Sequence, residues 1–219
     1  MTLVDLSYPF DPGLFPNQPG KPVNLEIRPI NTLECSGVNT LEITLGNHIG
    51  THIDAPLHLI DGGDSIDRLP LETFYGPAVV VDVPKGLNEA IEPGDLESAE
   101  PSVGAGDIAL ICTGWGGRVT EAAYASHHPY LTEAAAAWLV ARDVRMVGID
   151  VQSVDLPHSL RPQGFRYTSL RVLLTHGIPV VHSLTRLEEI RGRRVTLICM
   201  PIIFRGADGV PVRAVAHVD

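Results

Sequence analysis

The chain has 219 residues and a formal net charge of −10, with 26 acidic side chains against 16 basic ones. This charge argues against a general surface for nucleic acid or for anionic membranes. A hydrophobic content of 44% supplies a core for one domain, which we expect to span residues 1–219. No apolar run approaches the ~20 residues that a membrane span needs, so we expect no membrane partner.

The cysteine content and the N-terminal sequence both favour the cytoplasm. The three cysteines are sparse and odd in number, which argues against a disulfide framework. Cys112 and Cys199 lie in apolar runs and are expected in the core. The first residues hold neither a basic region nor an apolar segment, so no signal peptide is predicted.

Apolar patterns along the chain predict a structure made mostly of strands. The predicted strands are residues 2–6, 22–30, 38–46, 78–83, 108–112, 146–150, 178–184, 195–201 and 212–218. Helices are predicted at residues 133–142, with Thr132 as N-cap, and at residues 169–176, which Gly177 closes. Strands separated by few short helices indicate a sheet-rich α/β domain.

Residues 48–58, His-Ile-Gly-Thr-His-Ile-Asp-Ala-Pro-Leu-His, hold three of the nine histidines of the chain. The polar positions with long side chains are all even: His48, His52, Asp54 and His58. On an extended chain, residues two apart point to the same side, so these four side chains are expected to converge. The aliphatic residues between them then face a core. A helix would turn Asp54 away from the histidines, and a proline at position 56 would disrupt it.

Two imidazoles and a carboxylate form a ligand set that suits zinc, manganese or ferrous iron. The alternative is a group of separate histidines, each hydrogen-bonded near a sheet edge. That alternative explains one histidine well but not three, because clustered buried imidazoles are costly without a partner charge. We therefore predict a metal site in this segment.

The spacing His-x-Gly-Thr-His-x-Asp-x-Pro-x-His resembles the signature of the metal-dependent cyclase family, which includes kynurenine formamidases, isatin hydrolases and related amide or lactone hydrolases. Further similar segments are Asp61-Gly62-Gly63 and Thr113-Gly114-Trp115. The resemblance covers nearly the whole chain. It implies a swivelling β/β/α domain with a central barrel-like sheet, and an assembly as a homodimer or homotetramer.

Two positions depart from the family pattern. Kynurenine formamidases carry a further His and, twelve residues later, a Glu, which support a two-metal site; here Leu170 and His182 stand at these positions. Leu170 cannot ligate a metal, and His182 cannot bridge two ions as a carboxylate can. The resemblance thus implies one divalent ion, Zn²⁺ or Mn²⁺, held by His48, His52, Asp54 and His182.

Four other histidines were weighed as ligands. His158 or His176 could replace His182 in the ligand set. The adjacent pair His127 and His128 could form a second site, although neighbouring residues rarely bind one ion together.

The predicted function is metal-dependent hydrolysis of a small-molecule substrate, a cyclic or aryl amide such as a formamide or lactam. A metal would activate water and polarise the substrate carbonyl. His58 is the predicted general base and acid, because an imidazole titrates near neutral pH. Phe15 and Trp115 are the predicted apolar walls for a planar substrate.

Three alternatives stay open at this point. The chain could be a lactone hydrolase, or a biosynthetic cyclase or dehydratase. It could also be a metal-binding member of the family that has lost catalysis, although retention of His58 argues against that interpretation.

Overall fold

The computed structural model describes residues 2–14 and 25–218 of the chain. The strands are β1 (Thr2–Asp5), β2 (Leu25–Asn31), β3 (Thr40–Leu45), β4 (His52–Asp54), β5 (Tyr75–Asp82), β6 (Ala90–Ile91), β7 (Ile108–Cys112), β8 (Tyr130–Leu131), β9 (Met146–Ile149), β10 (Val180–His182), β11 (Arg194–Pro201) and β12 (Gly209–Val218). The α-helices are α1 (Leu33–Ser36), α2 (Pro93–Glu97), α3 (Ala122–Ser126), α4 (Glu133–Ala141) and α5 (Thr168–Thr175).

Seven strands close into a barrel in the order β12-β11-β5-β7-β9-β10-β4, because β4 also pairs with β12. Strands β5, β7, β9 and β10 run parallel to one another, whereas β4, β11 and β12 pair antiparallel with their neighbours. The closing strand β4 pairs with β10 on one side and with the start of β12 on the other. β1 adds to the far end of β12. This architecture confirms the predicted sheet-rich α/β fold with a barrel-like sheet.

Alternate residues of the parallel strands are buried on opposite faces of the sheet. In β5, Ala78 and Val80 belong to the core cluster to which all seven barrel strands contribute, and this cluster fills the barrel. Val79 and Val81 belong to a second cluster, which includes residues of α4 and α5 and covers the outer face. Burial on both faces explains why four of residues 78–83 are valine, three of them consecutive, instead of alternating with polar residues.

Helices α4 and α5 agree with the sequence prediction to within one residue at each end. The Thr132 hydroxyl accepts a hydrogen bond from Ala135 N at 3.1 Å, as an N-cap should. Gly177 follows α5 with a φ of +73°, which is the left-handed conformation that glycine favours. Among the described residues no helix is long and apolar enough to cross a membrane.

Short elements account for most of the differences from the sequence prediction. Helices α1 and α3 and the paired strands β6 and β8 were not predicted, because each is five residues long or less and shows no periodicity. The predicted strand at 178–184 shortens to β10, since the chain turns at Ser183 with a φ of +54°.

Asp150 links the end of β9 to the turn that follows β7. Its carboxylate, fully buried just after β9, accepts hydrogen bonds from the backbone N–H groups of Thr113, Gly114 and Trp115 and from the Thr113 hydroxyl, at 2.6–3.1 Å. Burial outweighs these donors and raises the pKa of Asp150 to about 6. The carboxylate thus fixes the turn that follows β7.

We expect Asp150→Asn to lower the free energy of unfolding by about 2–3 kcal/mol at neutral pH. The substitution replaces one carboxylate oxygen by an amide NH₂ group. This group cannot accept from the N–H donors that now bond to that oxygen, so buried donors are left without an acceptor. Urea denaturation followed by circular dichroism measures the change. Asp82→Asn, at the exposed end of β5, is the matched control and should stay within ~0.5 kcal/mol of the wild type.

Candidate metal centre

The histidine-rich segment is not one extended strand, and that part of the sequence prediction is wrong. Only His52–Asp54 forms a strand, β4. Before it the chain turns at Gly50, whose φ is +60°. After it Pro56–His58 forms a 3-10 turn. The even-numbered side chains nevertheless converge, because the two turns bring His48 and His58 back toward the end of β4.

Asp54 lies at the centre of the site. Its Oδ1 is 2.7 Å from His48 Nδ1 and 3.6 Å from His52 Nε2. Its Oδ2 is 3.1 Å from His182 Nε2 and 3.9 Å from His58 Nε2. His182 reaches the site because β10 pairs with β4 in a register that places His182 opposite His52. One buried carboxylate therefore faces four imidazole rings.

The ligand atoms fall into two groups that share Asp54. His52, Asp54 and His182 form the first, and all three residues are buried. His48, Asp54 and His58 form the second, in which the two histidines are half-buried. Within each group the ligand atoms lie within 4.8 Å of one another. Of the predicted ligands, His52, Asp54 and His182 thus lie in one group, whereas His48 lies in the other group with His58.

The donor chemistry of the buried group fits a divalent cation. His52 Nδ1 donates to the Gly50 carbonyl at 2.8 Å, which leaves the lone pair of Nε2 facing Asp54. Burial lowers the pKa of His52 to about 3, so the ring is neutral at neutral pH. His182 Nδ1 is buried without a hydrogen-bond partner among the described residues. The two Nε2 atoms and the Asp54 carboxylate are ligand atoms of the kind that zinc and similar divalent ions take, with the Nε2 proton of His182 displaced when an ion binds.

Electrostatics keep Asp54 ionised. Burial alone would raise the pKa of Asp54, but His182, His48 and His52 outweigh it and hold that pKa well below 3.8. For His48, burial lowers the pKa, yet its hydrogen bonds to Asp54 and Asp208 raise it above 6.5 overall. Asp54 is therefore ionised at neutral pH in a buried position, and a buried ionised carboxylate needs a positive partner such as a cation.

Two residues beside the site hold His48 and the turn before β4 in place: Gly209 and Thr51. A Cβ atom at Gly209 would lie 2.9 Å from His48 Nδ1 and 2.8 Å from the Ile53 carbonyl, so only glycine fits there. The Thr51 hydroxyl donates to the Ser183 carbonyl at 2.7 Å and accepts from Tyr8 N at 3.0 Å. These contacts tie the turn to the chain that follows β10.

Of the two predicted apolar walls for the substrate, Phe15 and Trp115, the structure describes only Trp115. Trp115 has no exposed surface, and its indole N–H donates to the Lys85 carbonyl at 2.9 Å. The structure gives Trp115 a packing role in the core, and its contact with a substrate stays a prediction. Phe15 lies outside the described residues.

Leu170 is 2% exposed and packs in the outer core cluster, so its side chain is a core residue at the start of α5.

The other candidate ligands lie outside both groups: His127, His128, His158 and His176. His128 is buried, and its Nδ1 donates to the Pro129 carbonyl at 2.8 Å. Burial lowers the pKa of His128 to about 4. His127 contacts the Ser126 hydroxyl, His158 is exposed on a 3-10 turn, and His176 bonds the Val172 carbonyl.

Asp208 is the site residue that the sequence analysis missed. It lies in the loop between β11 and β12, and its Oδ2 accepts from His48 Nε2 at 3.0 Å and from His58 Nδ1 at 2.8 Å. Its Oδ1 accepts from the Asn47 side chain at 2.7 Å. In the sequence Asp208 precedes Gly209 and has the pattern of an ordinary turn, so only the pairing of β4 with β12 reveals its place.

Comparison with known proteins agrees with this geometry. Residues 4–156 match the family described as "Putative cyclase". The chain belongs to the cyclase family. The kynurenine formamidase of Bordetella avium is 33% identical over 192 residues, which cover 83% of this chain and 81% of that protein. A kynurenine formamidase of Bacillus cereus is 31% identical over 186 residues, with the same coverage of both chains.

Solved structures of the family share the whole fold. Isatin hydrolase A from Ralstonia solanacearum superimposes with a TM-score of 0.87 at 27% identity, covering 100% of this chain and 92% of that one. A protein described as a potential metal-dependent hydrolase with cyclase activity superimposes with a TM-score of 0.77 at 25% identity, over 98% and 96% of the two chains. The chain is a metal-dependent hydrolase of the cyclase family.

We expect Asp54→Asn to abolish metal binding, because Asp54 is the only carboxylate common to the two groups of described ligand residues. His52→Ala and His182→Ala should each remove most of the metal, since a site with three or four protein ligands loses much of its affinity with any one. Elemental analysis of the purified variants measures the metal-to-chain ratio. Asp64→Asn, an exposed residue after the same segment, is the control and should keep the wild-type ratio.

Proposed function

We propose that the protein hydrolyses a small cyclic or aryl amide, such as a lactam or formamide, with one bound Zn²⁺ or Mn²⁺. The observation that carries the proposal is the buried ligand group around Asp54, with a further imidazole, His58, beside it. Relatives named kynurenine formamidase and isatin hydrolase support an amide or lactam as the substrate. When bound, the ion supplies a Lewis acid that lowers the pKa of water and polarises a carbonyl.

His52, Asp54 and His182 are the proposed ion-holding residues, together with His48 through the nitrogen that faces Asp54. His48 Nδ1 is only 2.7 Å from Asp54 Oδ1, so the ring is placed to share a cation with that oxygen. Because Leu170 offers no ligand atom, the proposal is one ion per chain. Elemental analysis that gives two ions per chain would contradict this part of the proposal.

His58 is the proposed general base and acid. Its Nδ1 donates to Asp208, which leaves the Nε2 lone pair toward the ligand group, 3.9 Å from Asp54 Oδ2. A water molecule or leaving group near Asp54 is therefore within reach of an imidazole that can take up a proton and return it. The partial exposure of the ring, 26% of its side chain, gives it contact with solvent for proton exchange.

We expect His58→Ala to retain its metal and to lose turnover by about 10²–10⁴-fold, because proton transfer by a positioned group contributes that much. Steady-state kinetics and elemental analysis of the same preparation separate the two effects. The control is His176→Ala, an exposed histidine at the end of α5, which should match the wild type. Loss of metal in His58→Ala would make His58 a ligand and move the base elsewhere.

The runner-up is lactone hydrolysis at the same site, since attack of water on a lactone carbonyl needs the same groups. A biosynthetic cyclase or dehydratase is the third candidate, and a family member without catalysis is the fourth. A panel of formamides, isatin-like lactams and dienelactones, each assayed with and without added Zn²⁺ or Mn²⁺, distinguishes these four. Turnover of no compound under any metal condition would count against the hydrolase proposal.

We expect N-formylkynurenine to be a weak substrate compared with compact lactams and lactones. Leu170 supplies no second-ion ligand, and His182 cannot bridge two ions, so the residues of a two-metal formamidase site are incomplete here. Values of kcat/KM for N-formylkynurenine and for the panel decide the matter. A value of ~10⁴ M⁻¹s⁻¹ or more that exceeds those for all compact substrates would contradict this expectation.

We also propose that the protein is a cytoplasmic homodimer. The hairpin β2–β3 forms a separate two-stranded sheet, and nearly all its residues are exposed. Along the hairpin and its connection the exposed aliphatic side chains are Ile27, Ile30, Leu33, Val38, Leu41, Ile43 and Leu45. A lone two-stranded hairpin is marginally stable in water, so a second copy of the chain is the proposed cover. Free thiols at all three cysteines fit a reducing compartment.

We expect the double substitution Leu41→Glu and Ile43→Glu to convert the dimer into monomers, because two charges would enter the apolar contact. Light scattering coupled to size-exclusion chromatography measures the molar mass. The control is Leu87→Glu, which alters a similarly exposed leucine outside the hairpin, 57% exposed, and should leave the mass unchanged. A monomeric wild-type chain, or a dimeric double variant, would contradict the proposed contact.

A further inference from the structure

The loop between β11 and β12 carries a carboxylate that touches two of the site histidines at once. Asp208 Oδ2 is 2.8 Å from His58 Nδ1 and 3.0 Å from His48 Nε2. The two rings lie against each other with centroids 4.2 Å apart. No other carboxylate among the described residues is within ion-pair distance of both rings except Asp54.

The loop holds Asp208 firmly in this place. The Asp208 carbonyl accepts from Ala55 N at 2.8 Å, directly after β4. The neighbouring Ala207 carbonyl accepts from Ile66 N at 2.9 Å. The Asn47 side chain donates to Asp208 Oδ1 at 2.7 Å, which turns Oδ2 toward the rings. Backbone and side-chain contacts thus fix both the position and the rotation of the carboxylate.

An ionised carboxylate only accepts hydrogen bonds, so both ring nitrogens that face Asp208 must carry a proton. For His58 this places the proton on Nδ1 and leaves Nε2 as the lone-pair nitrogen toward Asp54. For His48 it places a proton on Nε2, while Nδ1 is hydrogen-bonded to the second carboxylate, Asp54, at 2.7 Å. One oxygen of Asp208 therefore holds both rings, through Nδ1 of His58 and through Nε2 of His48.

We propose that Asp208 is a positioning residue that fixes the tautomer and ring orientation of His58, with the Nε2 lone pair of that ring toward Asp54, and that it also orients the ring of His48. Of the two measurements that test this inference, only the kinetic one rests on the proposed function. The role differs from metal ligation, because Oδ2 already accepts from two rings and Oδ1 accepts from Asn47. Outer carboxylates that orient histidines in this manner typically change activity by 10–100-fold when they are lost.

The test compares variants at position 208 by ¹⁵N NMR of histidine-labelled, metal-free protein at alkaline pH, where neutral tautomers are read directly. His58→Ala assigns the His58 signals. Wild-type His58 should show a protonated Nδ1 and an unprotonated Nε2. Asp208→Ala should shift His58 toward the Nε2–H tautomer, because the acceptor for Nδ1–H is gone. Asp208→Asn should keep the wild-type pattern, since the amide oxygen can accept from Nδ1–H.

The kinetic arm uses the best substrate of the amide and lactone panel. Asp208→Ala should lower kcat by ~10–100-fold with a smaller change in KM, and Asp208→Asn should recover part of the loss. At saturating metal concentration the metal-to-chain ratio of both variants should equal that of the wild type. If the wild-type chain hydrolyses no compound of the panel, the proposed function fails, whereas the tautomer measurement still decides the role of Asp208.

The control is Asp67→Ala. Asp67 Oδ1 accepts from Gly206 N in the same loop at 2.9 Å, so this variant loosens the loop without touching either ring. It should leave the His58 tautomer and kcat unchanged. Equal effects in Asp67→Ala and Asp208→Ala would assign the result to loop stability and overturn the proposal.

Other outcomes also overturn it. An unchanged His58 tautomer in Asp208→Ala would do so, and so would failure of that variant to bind metal even at saturating metal concentration, because loss of an outer carboxylate weakens metal binding by only ~10–100-fold. If Asp208→Ala does not fold, Asp208→Ser serves in its place, because a serine suits the same turn but is too short to reach the rings. Failure of both variants to fold would assign Asp208 to the stability of the loop and would equally overturn the positioning role.

Discussion

The ionised carboxylate of Asp54 is the constraint on which the site depends. A buried negative charge is costly unless charges or strong donors surround it, and here hydrogen bonds to His48 at 2.7 Å and to His182 at 3.1 Å offset that cost. Each of the four imidazoles of the site comes from a different piece of local structure: a turn, a strand, a 3-10 turn and the parallel strand β10. The barrel, the glycine at position 209 and the buried hydroxyl of Thr51 all serve to hold these pieces at their distances from one carboxylate.

The two ligand groups have different environments around that shared carboxylate. The group of His52 and His182 is closed off from solvent, whereas the rings of His48 and His58 are about a quarter exposed. A cation bound among the buried residues is well shielded from competing water, which strengthens its field. A proton-transfer group gains from the opposite condition, because it must exchange protons with solvent between turnovers. His58, the proposed base, has that condition, whereas His48, the proposed fourth ligand, lies at the exposed edge of the ion site.

Much of this arrangement could be predicted from the sequence, because it is local. The alternation of polar and aliphatic residues at 48–58 predicted the convergence, although Gly50 and Pro56–His58 achieve it through turns instead of one strand. Thr132 and the residues after it predicted α4 by capping and composition alone. Asp208 could not be found in this way. Its partners His48 and His58 lie 160 and 150 residues away, and nothing near position 208 distinguishes it from a turn aspartate. The isolation of the hairpin was equally hidden, since its alternating pattern is that of any half-buried strand.

The pairing of β4 has a consequence for the order in which the molecule assembles. β4 is three residues long, and its partners are Val180–His182 on one edge and Gly209–Pro211 on the other. Contacts between segments so distant in the chain must overcome the entropy of closing long loops, so they form late in folding. The site is therefore incomplete until β10 and β12 have both paired with β4. Capture of an ion by the full ligand set is thereby postponed until the barrel has closed, and before that the chain offers only the histidines and the aspartate of residues 48–58.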